Sequence, residues 1–190
     1  VLRPSVPPQV LPQLTLACSV CLVEAIEQSA DRQQLSLPTV RIKWPNDIYI
    51  EGRKVAGILT EVNAEQDRIH YAIVGIGINV NHAEEDFPEE VKSRATSLRL
   101  QSKQRWSRVQ LLLTLLERLE SVYEEFIQKG FTSLKPRWEK AAFPAGTEIT
   151  VHMGGQLTAG KYLGINDDGS MIWQRQDGAI QTLYSGDVNL

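Results

Sequence analysis

The chain has 190 residues, of which 42% are hydrophobic and 23% charged, and its formal net charge is −3 at pH 7. A chain of this length can build one domain of ordinary size and a second, small one. The composition lacks the basic excess that marks nucleic-acid-binding proteins, and no apolar run reaches membrane-spanning length. We therefore expect no DNA partner and no membrane partner.

A helix is the first element that the sequence predicts, over residues 14–29, where apolar residues recur at helical spacing and indicate packing against a sheet. Cys18 and Cys21 form a C-x-x-C pair within it. No second Cys/His pair follows at the spacing of a zinc site, which favours two buried thiols over a metal site. Free thiols are typical of reducing compartments, and we expect a cytoplasmic protein.

Polar residues follow the first predicted strand, residues 39–44, whose alternation puts Lys43 and Trp44 on opposite faces. Pro45 ends this strand because it has no N–H to donate to a sheet ladder. Asn46 and Asp47 therefore stand at a strand end, where polar side chains can point toward a ligand. Oxygen ligands suit Mg²⁺, which makes Asp47 a candidate metal ligand, and either residue could orient phosphates instead.

Lys54 opens the return strand after a hairpin turn at Glu51-Gly52. Residues 55–59 are apolar on both faces and predict a central strand. Lys54 would then lie at the end of a buried strand, close to the polar residues at the end of the first. A solvated strand-end lysine is the alternative, and on position alone it is the commoner case.

The strand predicted over residues 69–80 carries Gly75, Gly77 and Asn79 on one face and apolar residues on the other. Two glycines followed by an amide form a shallow trough, in which a flat ligand can approach the backbone. A β-bulge or close packing against a helix explains the glycines equally well at this stage.

The remaining residues predict a long helix and then a small β-rich unit. A capping box at Ser107 starts the helix, which runs to about residue 128 and should turn these apolar residues to the core: Val109, Leu112, Leu113, Leu116, Leu119, Val122, Tyr123 and Phe126. A break at residues 144–146 predicts domains over 1–143 and 144–190. Short alternating runs separated by turns at residues 154–155, 167–169 and 177–178 predict a small barrel. An RNA-binding barrel is disfavoured because basic residues are few and no aromatic row is present.

Three segments in this order and spacing resemble the biotin protein ligase family: Lys-Trp-Pro-Asn-Asp from Lys43, Gly-Arg-Lys-Val-Ala-Gly-Ile-Leu from Gly52, and Gly-Ile-Gly-Ile-Asn from Gly75. The resemblance runs from about Pro12 to the C-terminus. It implies an α+β fold: a mixed-sheet catalytic domain packed with helices, like that of class II aminoacyl-tRNA synthetases, followed by a small SH3-like barrel.

The same resemblance implies the chemistry. Biotin and ATP, with Mg²⁺, would form biotinyl-5′-AMP, and biotin would then pass to a lysine of a biotin carboxyl carrier protein of acetyl-CoA carboxylase. Lys54 would be the catalytic residue, because a positioned cation stabilises the charge that builds when a carboxylate attacks the α-phosphate. The residues expected to bind substrate or ATP are Lys43, Trp44, Asn46, Asp47, Gly57, Gly75, Gly77 and Asn79.

Other functions remain open on the sequence alone. The family carries a Gly-Arg-Gly-Arg-type loop upstream of the matched region, which these 190 residues lack, so we expect a ligase without its N-terminal part that binds biotin poorly on its own. A lipoate–protein ligase and an inactive carrier-binding module are the alternatives, and the segment from Trp44 to Asp47 favours the biotin branch. A repressor would need a helix-turn-helix ahead of this region, and none is present. The oligomeric state is not fixed, and a homodimer is among the states allowed.

Overall fold

The computed structural model describes residues 1–65, 68–153 and 155–190, which form two antiparallel sheets and a set of helices. The helices are α1 (Leu11–Arg32), α2 (Glu89–Lys92), α3 (Leu98–Ser102), α4 (Arg108–Lys129) and α5 (Lys135–Ala141). The strands are β1 (Val40–Lys43), β2 (Asp47–Ile50), β3 (Arg53–Ala64), β4 (Ile69–Ile78), β5 (Glu148–Met153), β6 (Gln156–Ile165), β7 (Met171–Arg175), β8 (Ile180–Leu183) and β9 (Asp187–Asn189). This mixture of helices and antiparallel sheets agrees with the expected α+β class.

The first sheet has the order β1-β2-β3-β4, and its ladders are all antiparallel within the described residues. The expected mixed sheet is therefore wrong for this part of the chain; parallel pairing occurs only as single bridges, Ile42 with Ala142 and Lys54 with Ala95. Short connections account for the difference, because tight hairpins can join only antiparallel neighbours. The turn between β2 and β3 has positive φ at both Glu51 (49°) and Gly52 (71°), as a two-residue hairpin requires.

Helix α1 lies between the first sheet and α4, and most of its residues are buried. By length and hydropathy the stretch Pro8–Arg32 could cross a membrane, which corrects the expectation that no apolar run is this long. However, 67% of its most apolar window is buried within the protein, as in a central helix of a folded core. Cys18 and Cys21 are both buried in this helix as free thiols.

Helix α4 begins at Ser107, whose hydroxyl accepts a hydrogen bond from the Gln110 N–H, and ends at Gly130, where φ is +72°. Its core-facing residues are Leu111, Thr114, Leu115, Val122 and Phe126. Half of the predicted stripe is therefore wrong: Val109, Leu112, Leu113 and Leu116 are between 52% and 68% exposed. Apolar residues occupy two faces at the start of this helix, and packing on α1 buries only one of them.

The second sheet has the order β8-β7-β6-β5-β9 and follows the break at which the sequence predicts a domain boundary. Four of its strands match the predicted runs, and β9 was not individually predicted. The turn predicted at Gly154-Gly155 lies partly outside the described residues, because Gly154 is not among them. The sheet packs against the first part of the chain through buried side chains that include Tyr162, Met171 and Val188.

Candidate ligand-binding groove

The open face of the first sheet carries a groove of about 480 Å³. Its lining residues come from the first β-hairpins and from β4: Asn46, Asp47, Lys54, Gly57, Ile58, Leu59, Gly75, Ile76 and Gly77. Six of the nine residues predicted for the site are among them. Leu59 was missed, although strand alternation from Gly57 already puts it on the same face, and it is 64% exposed.

One row of residues crosses all four strands of the sheet at this point. Lys43 pairs with Asp47, Asp47 with Gly57, and Gly57 with Gly77. Directly opposed residues in antiparallel strands lie on the same face of the sheet, so the row starts with two charged side chains and ends in two glycines. Without side chains at Gly57 and Gly77, the backbone forms the floor of the groove beside a charged cluster.

A bulge in the β2–β3 ladder brings Lys54 to this face. Ile48 pairs with Ala56 and Tyr49 with Lys54, so Val55 is an additional residue on β3. Val55 and Ala56 are both buried, at 0% and 3% exposed, and a regular strand would instead have put Lys54 on the face opposite to Gly57. Backbone hydrogen bonds to neighbouring segments hold the bulge in place. The Val55 carbonyl accepts from the Asn79 N–H, and the backbone N–H of Lys54 donates to the Arg94 carbonyl.

Asp47 lies between two ammonium groups. Its Oδ1 is 2.5 Å from Lys54 Nζ, and its Oδ2 is 3.4 Å from Lys43 Nζ. Asp47 and Lys43 are buried, whereas the Lys54 side chain is 44% exposed. The cluster thus presents one accessible cation to the groove, and its counter-charge, Asp47, is held between the two ammonium groups. Lys54 is the group best placed to contact an anionic ligand.

Asn46 helps to hold the groove together. Its side-chain Nδ2 donates to Ile58 O at 2.8 Å, and its backbone carbonyl accepts from the Ile58 N–H at 2.9 Å. These two bonds tie the segment before β2 to β3. The predicted role in orienting phosphates can use only the second Nδ2 hydrogen, because the first is donated to Ile58 O, so Asn46 acts first as a structural link.

Three predicted site residues lie outside the groove lining. Lys43 is buried beside the groove, on the edge strand β1, and donates to Val188 O at 2.5 Å. Trp44 is 5% exposed, and its Nε1 donates to Gly169 O at 2.9 Å, which gives it a packing role against the second sheet where a ligand contact was expected. Asn79 follows Gly77 by two residues, just beyond the end of β4.

The donor set does not favour a metal bound directly to Asp47, because both carboxylate oxygens already face lysine ammonium groups. Across residues 1–65, 68–153 and 155–190, no three His, Cys, Asp or Glu side chains are grouped so as to hold a metal ion. Burial raises the pKa of both Cys18 and Cys21 to about 12, which disfavours the reactive thiolate form.

Comparison with known proteins agrees with this fold. The model of the biotin/lipoate A/B protein ligase family matches residues 1–79. The bifunctional ligase/repressor BirA of Bacillus spizizenii is 42% identical over 190 residues, which are the whole of this chain and 56% of that protein. The biotin–[acetyl-CoA-carboxylase] ligase of Mycobacterium tuberculosis is 28% identical over 96% of this chain and 64% of its own length.

A solved structure extends the match to three dimensions. The Aquifex aeolicus biotin protein ligase in complex with biotin and ATP superposes with a TM-score of 0.75 at 31% identity, covering 94% of this chain and 71% of that one. The fold is that of proteins of the biotin and lipoate ligase type. The chain belongs to the biotin protein ligase family. It spans little more than half the length of the BirA protein that it matches.

Proposed function

We propose that this chain is the catalytic part of an ATP-dependent ligase that activates biotin as biotinyl-5′-AMP and transfers biotin to a lysine of a biotin carboxyl carrier protein. The observation that carries the proposal is the exposed Lys54 ammonium, held by Asp47 at one end of a groove floored by glycines. The named relatives support the substrates, because one is a biotin–[acetyl-CoA-carboxylase] ligase and another was solved with biotin and ATP.

The first step joins two anions and therefore needs a cation. A carboxylate oxygen of biotin attacks the α-phosphorus of ATP, the bond from that phosphorus to the bridging oxygen breaks, and pyrophosphate leaves. Negative charge increases on the α-phosphate oxygens during this step. Lys54 stabilises that charge, and Asp47 fixes the direction of its side chain before substrate arrives. Mg²⁺ belongs to this proposal as a partner of the ATP phosphates, not as a ligand of Asp47.

The glycines on β4 leave room for a substrate to approach the backbone. An added Cβ at Gly75 or Gly77 would come no closer to the protein than 3.7 Å and 4.0 Å, so packing does not require glycine at either position. A need for open space above the backbone explains them better, and a bound substrate would occupy that space. Asn79, with one donor and one acceptor, is proposed to bind the adenine edge.

The second step needs less from the protein. The lysine amine of the carrier attacks the acyl carbon of the mixed anhydride, the bond to the AMP oxygen breaks, an amide forms and a proton leaves the nitrogen. The anhydride is already activated, so the protein has to admit the carrier and keep water away. An acyl-enzyme is not required.

The finer architecture belongs to the same proposal. We propose that residues 144–190 form an SH3-like barrel and that residues 1–143 form a catalytic domain of the class II aminoacyl-tRNA synthetase type. Five short antiparallel strands joined by tight turns support the first part.

The location and partners belong to the proposal as well. Buried free thiols fit a reducing compartment, which supports a cytoplasmic location. The proposed protein partner is the carrier, and neither DNA nor a membrane is proposed as a partner. A homodimer is compatible with this proposal.

The test is adenylation followed by transfer. The protein is mixed with biotin, MgATP labelled at the α-phosphate and a purified carrier domain, and labelled biotinyl-AMP and biotinylated carrier are measured. Because the chain on its own is expected to bind biotin poorly, we expect both products from the wild type at a rate far below that of an intact family member, and a further loss of a hundredfold or more in Lys54→Ala. Product from lipoate but not from biotin would favour a lipoate ligase, and carrier binding without either product would favour an inactive binding module.

A further inference from the structure

We propose that Lys43 sets the charge of the groove from its buried side at the edge strand β1: it neutralises Asp47 there, so that the positive charge of Lys54 stays available to an anionic ligand. In this role Lys43 is a positioning residue without substrate contact, and the C-terminal strand β9 holds it in place. The inference rests on the proposed function for the identity of the ligand. Its geometry does not depend on that function.

The first observation is the sharing of one carboxylate. Asp47 Oδ1 is 2.5 Å from Lys54 Nζ, and Oδ2 is 3.4 Å from Lys43 Nζ. Two ammonium groups and one carboxylate leave a net charge of +1. Without Lys43, the pair of Asp47 and Lys54 would be neutral, and an approaching phosphate would have to compete with Asp47 for the only cation.

The second observation is burial. The Lys43 side chain is only 7% exposed, whereas that of Lys54 is 44% exposed. Burying a lysine costs free energy unless it is paired and hydrogen-bonded. Lys43 is therefore not an ordinary surface lysine, and its position depends on the partners that it contacts. Because Lys43 is absent from the groove lining, it acts on a ligand through Asp47 and through its field.

The third observation concerns what holds Lys43. Its Nζ donates to the Val188 carbonyl in β9 at 2.5 Å and lies 5.5 Å from the centre of the Tyr49 ring. Asp187 Oδ1 is also 4.0 Å from Nζ, but this side chain is 72% exposed, so water screens its charge. Strand β9 thus contributes a neutral acceptor that orients the ammonium without cancelling its charge. The second sheet is therefore part of the electrostatics of a groove that it does not line.

The experiment measures anion binding separately from catalysis. Lys43→Gln removes the charge and keeps a donor for Val188 O, while Asp47→Asn removes the opposing charge. In terms of net cluster charge the wild type has +1, Lys43→Gln has zero, and the double variant Lys43→Gln/Asp47→Asn returns to +1. ATP and inorganic pyrophosphate binding are measured by calorimetry, and biotinyl-AMP formation is measured in parallel.

We expect Lys43→Gln to weaken ATP and pyrophosphate binding by about tenfold, a typical effect for one charge near a partly solvated site. The double variant should recover most of that loss, which a purely structural defect would not allow. Lys135→Met is the matched control, because Lys135 also joins the two parts of the chain, through a 2.6 Å contact with Asp167, but lies outside the groove. We expect it to leave anion binding unchanged.

Two results would overturn the inference: unchanged anion binding in Lys43→Gln, or no recovery in the double variant when circular dichroism shows both to be folded. If Lys43→Gln does not fold, the comparison of the double variant with Asp47→Asn still decides, because the inference requires the more positive Asp47→Asn to bind pyrophosphate more tightly. Failure of the proposed function gives a different pattern, in which the wild type binds anions as expected yet forms no biotinyl-AMP.

Discussion

Replacing Gly57 by alanine should displace the Lys54 ammonium while leaving the lysine in place, so it tests whether the exact position of this group matters for the rate. A Cβ at Gly57 would lie 3.1 Å from Lys54 Cε, 3.2 Å from Lys54 Nζ and 3.2 Å from Asp47 Oδ1. Carbon atoms in ordinary contact stay beyond about 3.4 Å, so these neighbours must move by a few tenths of an ångström. The half-exposed lysine is the group that can move, and it would shift away from Asp47 toward solvent.

The expected cost is in rate more than in stability. An alanine in a strand gains roughly 0.5–1 kcal/mol over glycine in conformational entropy, which offsets much of the crowding. Misplacing a reacting group by about 1 Å can cost a hundredfold in rate, so a shift of a few tenths should cost about tenfold in the rate of biotinyl-AMP formation at saturating substrate. Rapid-quench measurement of the labelled adenylate gives this rate, and thermal unfolding followed by circular dichroism gives the stability.

Gly75→Ala is the matched control for this experiment. Its Cβ would be 3.7 Å from Leu59 O and would touch neither Lys54 nor Asp47. A methyl group there lies on the groove floor, so we expect weaker substrate binding with an unchanged maximal rate. Equal losses of maximal rate in Gly57→Ala and Gly75→Ala, or a normal rate in Gly57→Ala, would refute the reasoning.

Four further predictions follow from the same geometry. Lys54→Ala should slow adenylate formation by a hundredfold or more, about 3–4 kcal/mol, in rapid-quench assays; an unchanged rate would remove it from the mechanism. Gly77→Val should abolish ligand binding by calorimetry in a protein that remains folded, and normal binding would mean that the ligand lies elsewhere. Trp44→Phe should lower the free energy of unfolding by about 1 kcal/mol through loss of its hydrogen bond, with KM for ATP unchanged. An unchanged stability with a raised KM would instead mean that Trp44 contacts the ligand. Cys18 and Cys21, whose pKa values burial raises to about 12, should react with a thiol reagent only after denaturation, and rapid reaction of the folded protein would contradict their burial.

Strand alternation was enough to predict the part of the groove floor that lies on β4. Gly75 and Gly77 share a face for a purely local reason, the two-residue period of a strand, whereas Gly57 joins them through its pairing with Gly77 across the β3–β4 ladder. The face on which Lys54 lies depends on the bulge at Val55, and nothing in an apolar run distinguishes a bulged strand from a regular one. The sequence therefore placed Lys54 near the site without showing how it reaches it.

Partners that are distant in sequence account for the other differences. Lys43 is held by Val188 and Trp44 by Gly169, which are 145 and 125 positions further along the chain. Local patterns carry no information about such pairs, so both residues seemed free for a ligand. The exposed leucines of α4 show the same limit, because periodicity finds an apolar stripe but cannot tell which of two stripes packs on α1.

The row that crosses the first sheet from Lys43 to Gly77 exists only when all four strands pair in the correct register, so ligand binding depends on strand alignment. A slip of two residues between any two of these strands would keep every side chain on its proper face, and the core with it. It would nevertheless move part of the row by about 7 Å, two residue steps along a strand. Such a molecule would pass for native by its helix content and compactness, yet it would bind nothing. With nucleotide as the proposed ligand, the fraction of a preparation that binds it would measure correctly aligned molecules, which spectroscopic probes of folding would overcount.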